Sequence, residues 1–464
     1  MVRVAVLVLA AALLPAADFS ARFDEIRKTA TREELYRLLW DLPKGGDLHN
    51  HLSLSQPAEL LYHLATDTKR AGYTPFYTRM KFLACPDSVR PFLEFQTVPQ
   101  WMWNRLSECA REEYKPLGSL SPEQKADWTS AMIIDKPNEG ANEFFEAIVP
   151  RRQPMSRNMD LLMDSLAEDL KERSAEGLLY LETQFVPVNF QGEGGRPVPL
   201  DDGVKAIRAL LSRPDVAALP MKVRFLNILI RFIADPDAAM QRAFEFVNRN
   251  HDLWVGVNFA GREDNDKGYS LRFLEPLRRL RRTYSDVHLS LHAGESSAPS
   301  RQIHDTLLLG AERIGHGINL LSDPETYLLM RNGHTLIEIN LISNKLLQYV
   351  PDLTQHPFPE YLRTGIPVCL NTDDPGAWDS NFTDEYFTAV TTYNLSWAEI
   401  VKLGRNSLEY SFAEPELKAR LLQDYDAAMK KFEDRYSAPD WRDKLRAVQP
   451  HPSGYAKRSL GLAF

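Results

Sequence analysis

The chain has 464 residues, of which 44% are hydrophobic and 25% charged, and its 55 basic and 63 acidic side chains leave a net charge of -8. That length and composition belong to a folded protein with a large core, which excludes a disordered chain. An acidic balance with no long basic run makes nucleic acid a poor partner and suits a small neutral ligand better.

Residues Met1 to Ala17 carry one early arginine, Arg3, then the apolar run Val4 to Leu14 and Pro15-Ala16-Ala17. This is the layout of a secretory signal peptide. The run is too short for a comfortable membrane span, although a short hydrophobic helix or an uncleaved anchor has the same composition. The expectation is a secreted or periplasmic protein that loses residues 1–17 and has no membrane attachment afterwards. Thr31-Arg32-Glu33-Glu34 then opens an amphipathic helix with Leu35, Leu38 and Leu39 on one face, ended by Pro43-Lys44-Gly45-Gly46. A strand over Asp47 to Leu52 follows, with a helix from Pro57 to Ala65.

From about Thr68 to Asn142 the alternation of strands and helices stops, and aromatics such as Trp101, Trp103 and Trp128 accumulate. We read residues 68–142 as an insertion, which fits a lid, a dimer surface or a small packed subdomain. Two of the three cysteines, Cys85 and Cys109, lie in it and are expected to pair if the protein is exported. Cys369, within the apolar run Ile366 to Leu370, reads as a buried core residue.

Alternation resumes with a helix from about Ser156 to Ser174 and a strand over Gly177 to Thr183. Strand and helix candidates then take turns: Val223 to Ile230, Pro236 to Asn248, Leu253 to Phe259, Leu271 to Thr283, Val287 to Leu291 and Gln302 to Leu309. Arg313-Ile314, Pro324 to Arg331, Thr335 to Ile339 and Ile366 to Leu370 continue the series. Such alternation predicts a parallel sheet, and the number of units fits a closed (β/α)8 barrel. The tail from Ser396 to Tyr436 reads as helical, opened by the capping-box pattern Ser396-Trp397-Ala398-Glu399, and Pro439, Pro450 and Pro452 suggest an extended end. The expected division is residues 23–67 and 143–436 for the barrel, 68–142 for the insertion and 437–464 for a C-terminal extension.

Four stretches place metal ligands or proton carriers just after apolar runs. The central one is Leu289-Ser290-Leu291-His292-Ala293-Gly294-Glu295, a strand that delivers a histidine and a carboxylate at its tip. In Asp47-Leu48-His49-Asn50-His51-Leu52, strand periodicity puts both histidines on one side, where they can reach a single ion. Ile314-Gly315-His316-Gly317 also reads as a hydrogen-bonded histidine in a glycine turn, and Asp373-Asp374 before Pro375 as a turn or helix cap. Four such stretches, each at a strand end of a barrel, point to one shared site.

With these residues in view, the chain resembles the adenosine deaminase family of zinc hydrolases, and within it the secreted adenosine deaminase-related growth factor branch. The likeness rests on the H-x-H, H-A-G-E, G-H-G and T-D-D-P stretches above, on Gly256-Val257-Asn258-Phe259-Ala260-Gly261 and on Ile342-Ser343-Asn344, and runs from about Leu42 to about Phe432. It implies one zinc ion held by His49, His51, His292 and Asp373, with Glu295 supplying a proton to purine N1 and His316 positioning the attacking hydroxide. It further implies contacts from Asp374 to N7 and from the Gly261 backbone NH to N3. The partner is then a small-molecule purine nucleoside, and a homodimer is left open.

Two departures from the family pattern stand out. The second residue after the H-x-H pair is an aspartate that contacts the ribose in the cytosolic branch, and here it is Ser53. Glu182 or a residue of the insertion is an alternative reader of the sugar. Asn340-Leu341 stands where a Cys-Pro pair is usual, which reads as a packing difference. The expected activity is zinc-dependent deamination of adenosine, and of 2'-deoxyadenosine, to the inosine product and ammonia. The alternatives are a deaminase of another adenine nucleoside or nucleotide, or an extracellular growth-factor-like binding protein on the same fold.

Overall fold

The computed structural model describes residues 16–464. The segment read as a signal peptide therefore lies outside the described residues, except for its last two positions, which begin the helix Ala16–Thr29.

Eight parallel strands form one sheet. They are β1 (Gly45–His51) and, after an insertion with its own β2 (Phe76–Arg79), β3 (Thr97–Pro99) and β4 (Tyr114–Pro116), the seven strands β5 to β11. These last are β5 (Leu178–Gln184), β6 (Lys222–Ile230), β7 (Trp254–Ala260), β8 (His288–Ala293), β9 (Arg313–His316), β10 (Leu336–Ile339) and β11 (Val368–Leu370). The order β1-β5-β6-β7-β8-β9-β10-β11 is that of a (β/α)8 barrel with β2–β4 left out. Beyond β11 the last edge meets the first: the His51 NH donates to the Asp373 carbonyl and the Asp373 NH to the His49 carbonyl, both at 2.9 Å. The closing bond is thus made by residues of the candidate site itself.

Helices cover the outside because their apolar faces match the outward residues of the strands. Met159–Ala175 buries Leu162, Leu166 and Leu170, and Pro236–Arg249 buries Met240, Phe244 and Val247. Inside the barrel the residues are polar to an unusual degree. Arg313 pairs with Glu182 at 2.6 Å and with Glu338 at 2.7 Å, and all three side chains are buried. The Phe412 NH and the Tyr180 hydroxyl also donate to Glu182. Glu182 is thereby tied to the floor of the barrel, so it is not the alternative sugar contact that its place near a strand end suggested.

The floor is sealed by the helix Trp397–Glu409, which begins with the expected capping box and whose Ser407 hydroxyl accepts from the Gly46 NH at 2.7 Å. The helices Ala16–Thr29 and Pro415–Tyr436 stack on it through Phe19, Phe432 and Trp397. The end expected to be extended contains two short helices, Trp441–Leu445 and Gly454–Arg458. Its buried Trp441, Leu445 and Tyr455 anchor it, because burial of apolar side chains outweighs the proline-rich local preference.

Between β1 and β5 the insertion forms an antiparallel sheet in the order β3-β2-β4, and Cys85 and Cys109 are disulfide-bonded with their Cα atoms 6.0 Å apart. Phe76, Leu117 and Trp128 of the insertion share a small core with Leu61 of the helix after β1 and with Met155 and Leu161. The chain then returns over the mouth of the barrel. The Ile134 NH donates to the Ala377 carbonyl at 2.9 Å, and the Phe144 ring lies 4.9 Å from that of Trp378. Arg152, fully buried, donates to the carbonyls of Gln56 and Gly376 and so ties the insertion to the loops after β1 and β11. A π-helical turn, Phe144–Ile148, interrupts this returning helix, a feature frequent beside functional sites. Among the described residues no helix is long and apolar enough to cross a membrane.

Candidate active site

The site is assembled at the C-terminal ends of β1, β8, β9 and β11, the rim where such barrels place their chemistry. His49 and His51 leave the same face of β1. A ligand atom of each, with one of His292 at the end of β8 and one of Asp373 just after β11, lies within 4.8 Å of the others. His49 Nε2 and His292 Nε2 face each other at 3.1 Å, and His51 Nε2 is 3.2 Å from Asp373 Oδ1. The strand spacing that brings His49 this close demands a glycine on β9: a Cβ on Gly315 would lie 2.6 Å from His49 Cε1. His316 and Asp373 both have left-handed backbones, with φ of 68° and 59°, a costly conformation for non-glycine residues that clusters at functional sites.

Three imidazoles and one carboxylate converging from separate strands suit a divalent metal, and zinc in particular takes such nitrogen and oxygen donors. The outer contacts fit as well. His49 Nδ1 is 2.7 Å from Glu338 Oε2, the carboxylate-to-histidine bond that orients a ligand imidazole and leaves its other nitrogen free for a metal. Glu338 is itself held by the Ser290 hydroxyl at 2.8 Å and by Arg313.

The ionisation of the group is set mostly by burial. Burial and the neighbouring imidazoles push His292 well below its usual range, and burial lowers His51 and His316, so these three rings are neutral. Burial works against protonation of His49, but its hydrogen bonds to Asp373 and Glu338 prevail and raise it to about 10. Bonds from His49 and His51 hold Asp373 well below the ordinary carboxylate range despite its burial. Glu295 and Asp374 go the other way. Burial, then the charge of Asp373, pushes both well up, which favours the protonated carboxyl in each.

Glu295 lies beside His316, with Oε1 3.7 Å from Nε2. The proton on His316 can be assigned by following a buried chain back to the main chain. The Phe358 NH donates to His356 Nδ1 at 3.1 Å, so His356 carries its proton on Nε2 and donates it to Asn344 Oδ1 at 3.0 Å. The Asn344 amide nitrogen is then turned to donate to His316 Nδ1 at 3.0 Å, joined by that of Asn340 at 3.2 Å. Nδ1 of His316 is therefore an acceptor, and Nε2 bears the hydrogen that points toward Glu295. Asn340 is thus part of the site's support rather than a packing variant. His356 and Glu338 belong to it as well, although sequence reasoning singled out neither. The signals were a lone carboxylate within Leu336-Ile337-Glu338-Ile339 and a His-Pro pair.

The remaining expected residues surround this centre. Asp374 is buried, and among the described residues its Oδ1 has no hydrogen-bond partner. Gly261, just past β7, has a φ of 98°, and a Cβ there would meet the Phe232 ring at 2.9 Å, so the backbone NH sits in a turn that only glycine makes without strain. Ser53 lies in the short 3-10 turn Leu52–Leu54 that follows His51, partly open to solvent. The strand end that carries the central motif is braced from behind. Arg231 donates to the His292 carbonyl at 2.9 Å, and Glu263, 3.4 Å from Arg231, accepts from the Gly294 NH.

Fold and site together define a (β/α)8 barrel with a candidate metal centre at its mouth. Residues 121–428, about two thirds of the chain, match the adenosine deaminase family. The chain belongs to that family. The match begins inside the insertion and so leaves β1 out, yet β1 stands in the barrel and supplies two of the four clustered side chains. The adenosine deaminase of Enterococcus faecalis is 31% identical over 271 residues, which cover 57% of this chain and 76% of that protein. Among solved structures, an adenine deaminase from Arthrobacter aurescens superposes with a TM-score of 0.61 at 20% identity, covering 84% of this chain and 99% of the other. The N6-methyl-AMP deaminase of Arabidopsis thaliana gives 0.62 at 21% identity, covering 85% and 99%. At such identities the two structures speak for the fold alone.

Proposed function

We propose that the chain deaminates adenosine, and 2'-deoxyadenosine, by hydrolysis to inosine or 2'-deoxyinosine and ammonia, with one zinc ion per chain held by His49, His51, His292 and Asp373. The observation that carries this reading is the pairing of the four-residue cluster with the Glu295 carboxyl and a proton-bearing imidazole nitrogen, His316 Nε2, set 3.7 Å apart. Zinc, when bound there, supplies the charge that brings the pKa of water toward neutrality.

The side chains divide the remaining work. Water adds its oxygen to C6 of the purine, and Glu295 gives its proton to N1, which suits a carboxyl kept protonated by burial. The His316 Nε2–H donates to the incoming oxygen and supports its negative charge from a fixed position. One proton of the water passes to the exocyclic nitrogen and the other restores the Glu295 carboxyl; the bond from C6 to that nitrogen then breaks, the nitrogen leaves as ammonia, and C6 keeps the oxygen as the carbonyl of inosine. Asp374, also neutral, donates toward N7, the Gly261 NH toward N3, and Ser53 faces the sugar. Closure of the mouth by the insertion keeps bulk water away and strengthens each of these contacts.

A nucleotide substrate asks for cations at its phosphate. Arg262, next to Gly261, is instead paired with Asp264 at 2.5 Å and bonded to Asn142 at 2.7 Å, which favours a nucleoside. The disulfide in the insertion supports export to an oxidising compartment, secreted or periplasmic. The test is ammonia release from a panel of adenine nucleosides and nucleotides by protein of measured zinc content. Release fastest from adenosine upholds the reading. Release only from nucleotides moves it to that class, and no release from any compound leaves a growth-factor-like binding protein.

A further inference from the structure

The cluster ligands and their acid-base partners occupy one half of the barrel rim: β8, β9, β11 and β1. A substrate whose reacting edge lies there must turn its remaining part toward the other half, formed by β5, β6 and β7. On that half, at the end of β5, stands Gln184. It is 2% exposed, and among the described residues neither its amide oxygen nor its amide nitrogen has a hydrogen-bond partner.

The direction of this side chain follows from its strand. Tyr180 and Glu182 point to the barrel axis, where Glu182 meets Arg313, and residues two apart on a strand share a face. Gln184 is therefore one layer above Glu182, facing inward and in register with His51. A buried amide with both ends unpaired is unstable unless something outside the fold satisfies it. The same condition marks His316 Nε2 and Asp374 Oδ1, both in the site already described. The Gln184 amide, His316 Nε2 and Asp374 Oδ1 are among several buried polar groups at this mouth left unpaired among the described residues, and a common partner would satisfy them.

The chemistry of that partner can be read from the amide. Glutamine offers one donor and one acceptor group and no charge, which complements a hydroxyl. A phosphate would require an uncommitted cation, and the guanidiniums of the mouth are engaged. Arg231 is bonded to the His292 carbonyl and Arg152 to loop carbonyls, while Arg262 is paired with Asp264. On β6 the register partner of Gln184 is the buried Leu226, an apolar neighbour that offers the amide no hydrogen bond. Resting on the deaminase reading above, we infer that Gln184 is a specificity-determining residue whose amide hydrogen-bonds a sugar hydroxyl, making the preferred substrate a nucleoside rather than a free base or a nucleoside phosphate.

The experiment compares kcat/KM for adenosine, its 2'-, 3'- and 5'-deoxy analogues, adenine and AMP on wild-type protein and on Gln184→Leu and Gln184→Asn, with zinc content and Tm recorded for each. Gln184→Leu keeps the shape and removes the hydrogen bonds, so kcat/KM for adenosine should fall about tenfold or more. The loss should vanish for the one deoxy analogue that lacks the hydroxyl in question, which a general structural defect cannot produce. Equal losses on every nucleoside, no loss on any, or a wild-type preference for AMP or adenine would overturn the assignment while leaving deamination in place. No ammonia from any of these compounds would sink the reading of the reaction and this assignment with it.

Discussion

Replacing Asn344 by aspartate tests whether the buried chain behind His316 sets its tautomer. The substitution is nearly isosteric, and His356 Nε2–H can still donate to the new carboxylate as it does to Asn344 Oδ1 at 3.0 Å. The other end changes sign. Where the amide nitrogen donated to His316 Nδ1 at 3.0 Å, a carboxylate oxygen can only accept, so the His316 proton is drawn to Nδ1 and Nε2 loses its hydrogen. The site then has a lone pair where the developing oxygen charge needs a donor. Loss of one such donor costs about 10²–10³ in kcat, and a reacting imidazole held in the wrong tautomer about 10⁴. Asn344→Asp should therefore lower kcat about 10²- to 10⁴-fold, or ~2.7–5.4 kcal/mol of transition-state stabilisation, with zinc content unchanged because no metal ligand is touched. Asn344→Ser, which removes the donor without reversing it, should lose less, since Asn340 still donates at 3.2 Å. Steady-state kinetics and metal analysis decide the matter, and nitrogen NMR of His316 reads the tautomer directly. An Asn344→Asp enzyme within threefold of wild type in kcat would refute the relay.

Other substitutions probe the centre and the frame. His292→Ala removes a direct ligand and should lose most of the roughly one zinc per chain expected after purification; full occupancy by atomic absorption would sink the ligand assignment. Glu295→Gln should keep zinc and lose nearly all turnover, because an amide cannot deliver a proton to N1, so turnover near wild type would remove Glu295 from the mechanism. Asp384 is buried against Tyr36 and Ser453, and burial raises its pKa to about 7. A carboxyl that is protonated when folded and ionised when unfolded stabilises the fold below its unfolded pKa of 3.8, and that stability is lost as pH rises toward 7. Tm should accordingly fall between about pH 4 and pH 7 in wild type and fall less in Asp384→Asn, and parallel profiles would contradict this.

The four residues that converge at the mouth were legible in the sequence because barrel strands are short and end in chemistry. His49 and His51, two apart on β1, and His292 at the tip of an alternating run each carry their geometry in local periodicity. Asp373 is legible through its neighbours Thr372, Asp374 and Pro375. The supporting residues were not, since their roles depend on partners far along the chain. Glu338 meets His49 from 289 positions away, and a glutamate in an apolar strand looks the same whether it closes an ion pair or faces water. His356 and Asn344 are twelve residues apart, but only the fold turns one toward the other. The helices and strands of the barrel followed the expected order, whereas the C-terminal end did not, because its short helices depend on burial of Trp441 and Tyr455 rather than on local propensity.

The polar interior explains why these supports exist. A barrel of this size is ordinarily filled by branched apolar side chains, and replacing a buried ion pair with well-packed apolar residues is often neutral or stabilising. Glu182, Arg313, Glu338 and Ser290 occupy that interior instead, one linked to the next from the Phe412 NH at the floor to His49 at the mouth. Stability alone does not account for such a column. Its upper end fixes the ring plane of His49 and directs His49 Nε2 at the point where His51, His292 and Asp373 meet. On the neighbouring strand the relay through Asn344 does the same for the His316 proton. Both networks exchange apolar packing for the orientation of one nitrogen, and each ends on an imidazole that has to act without rotating.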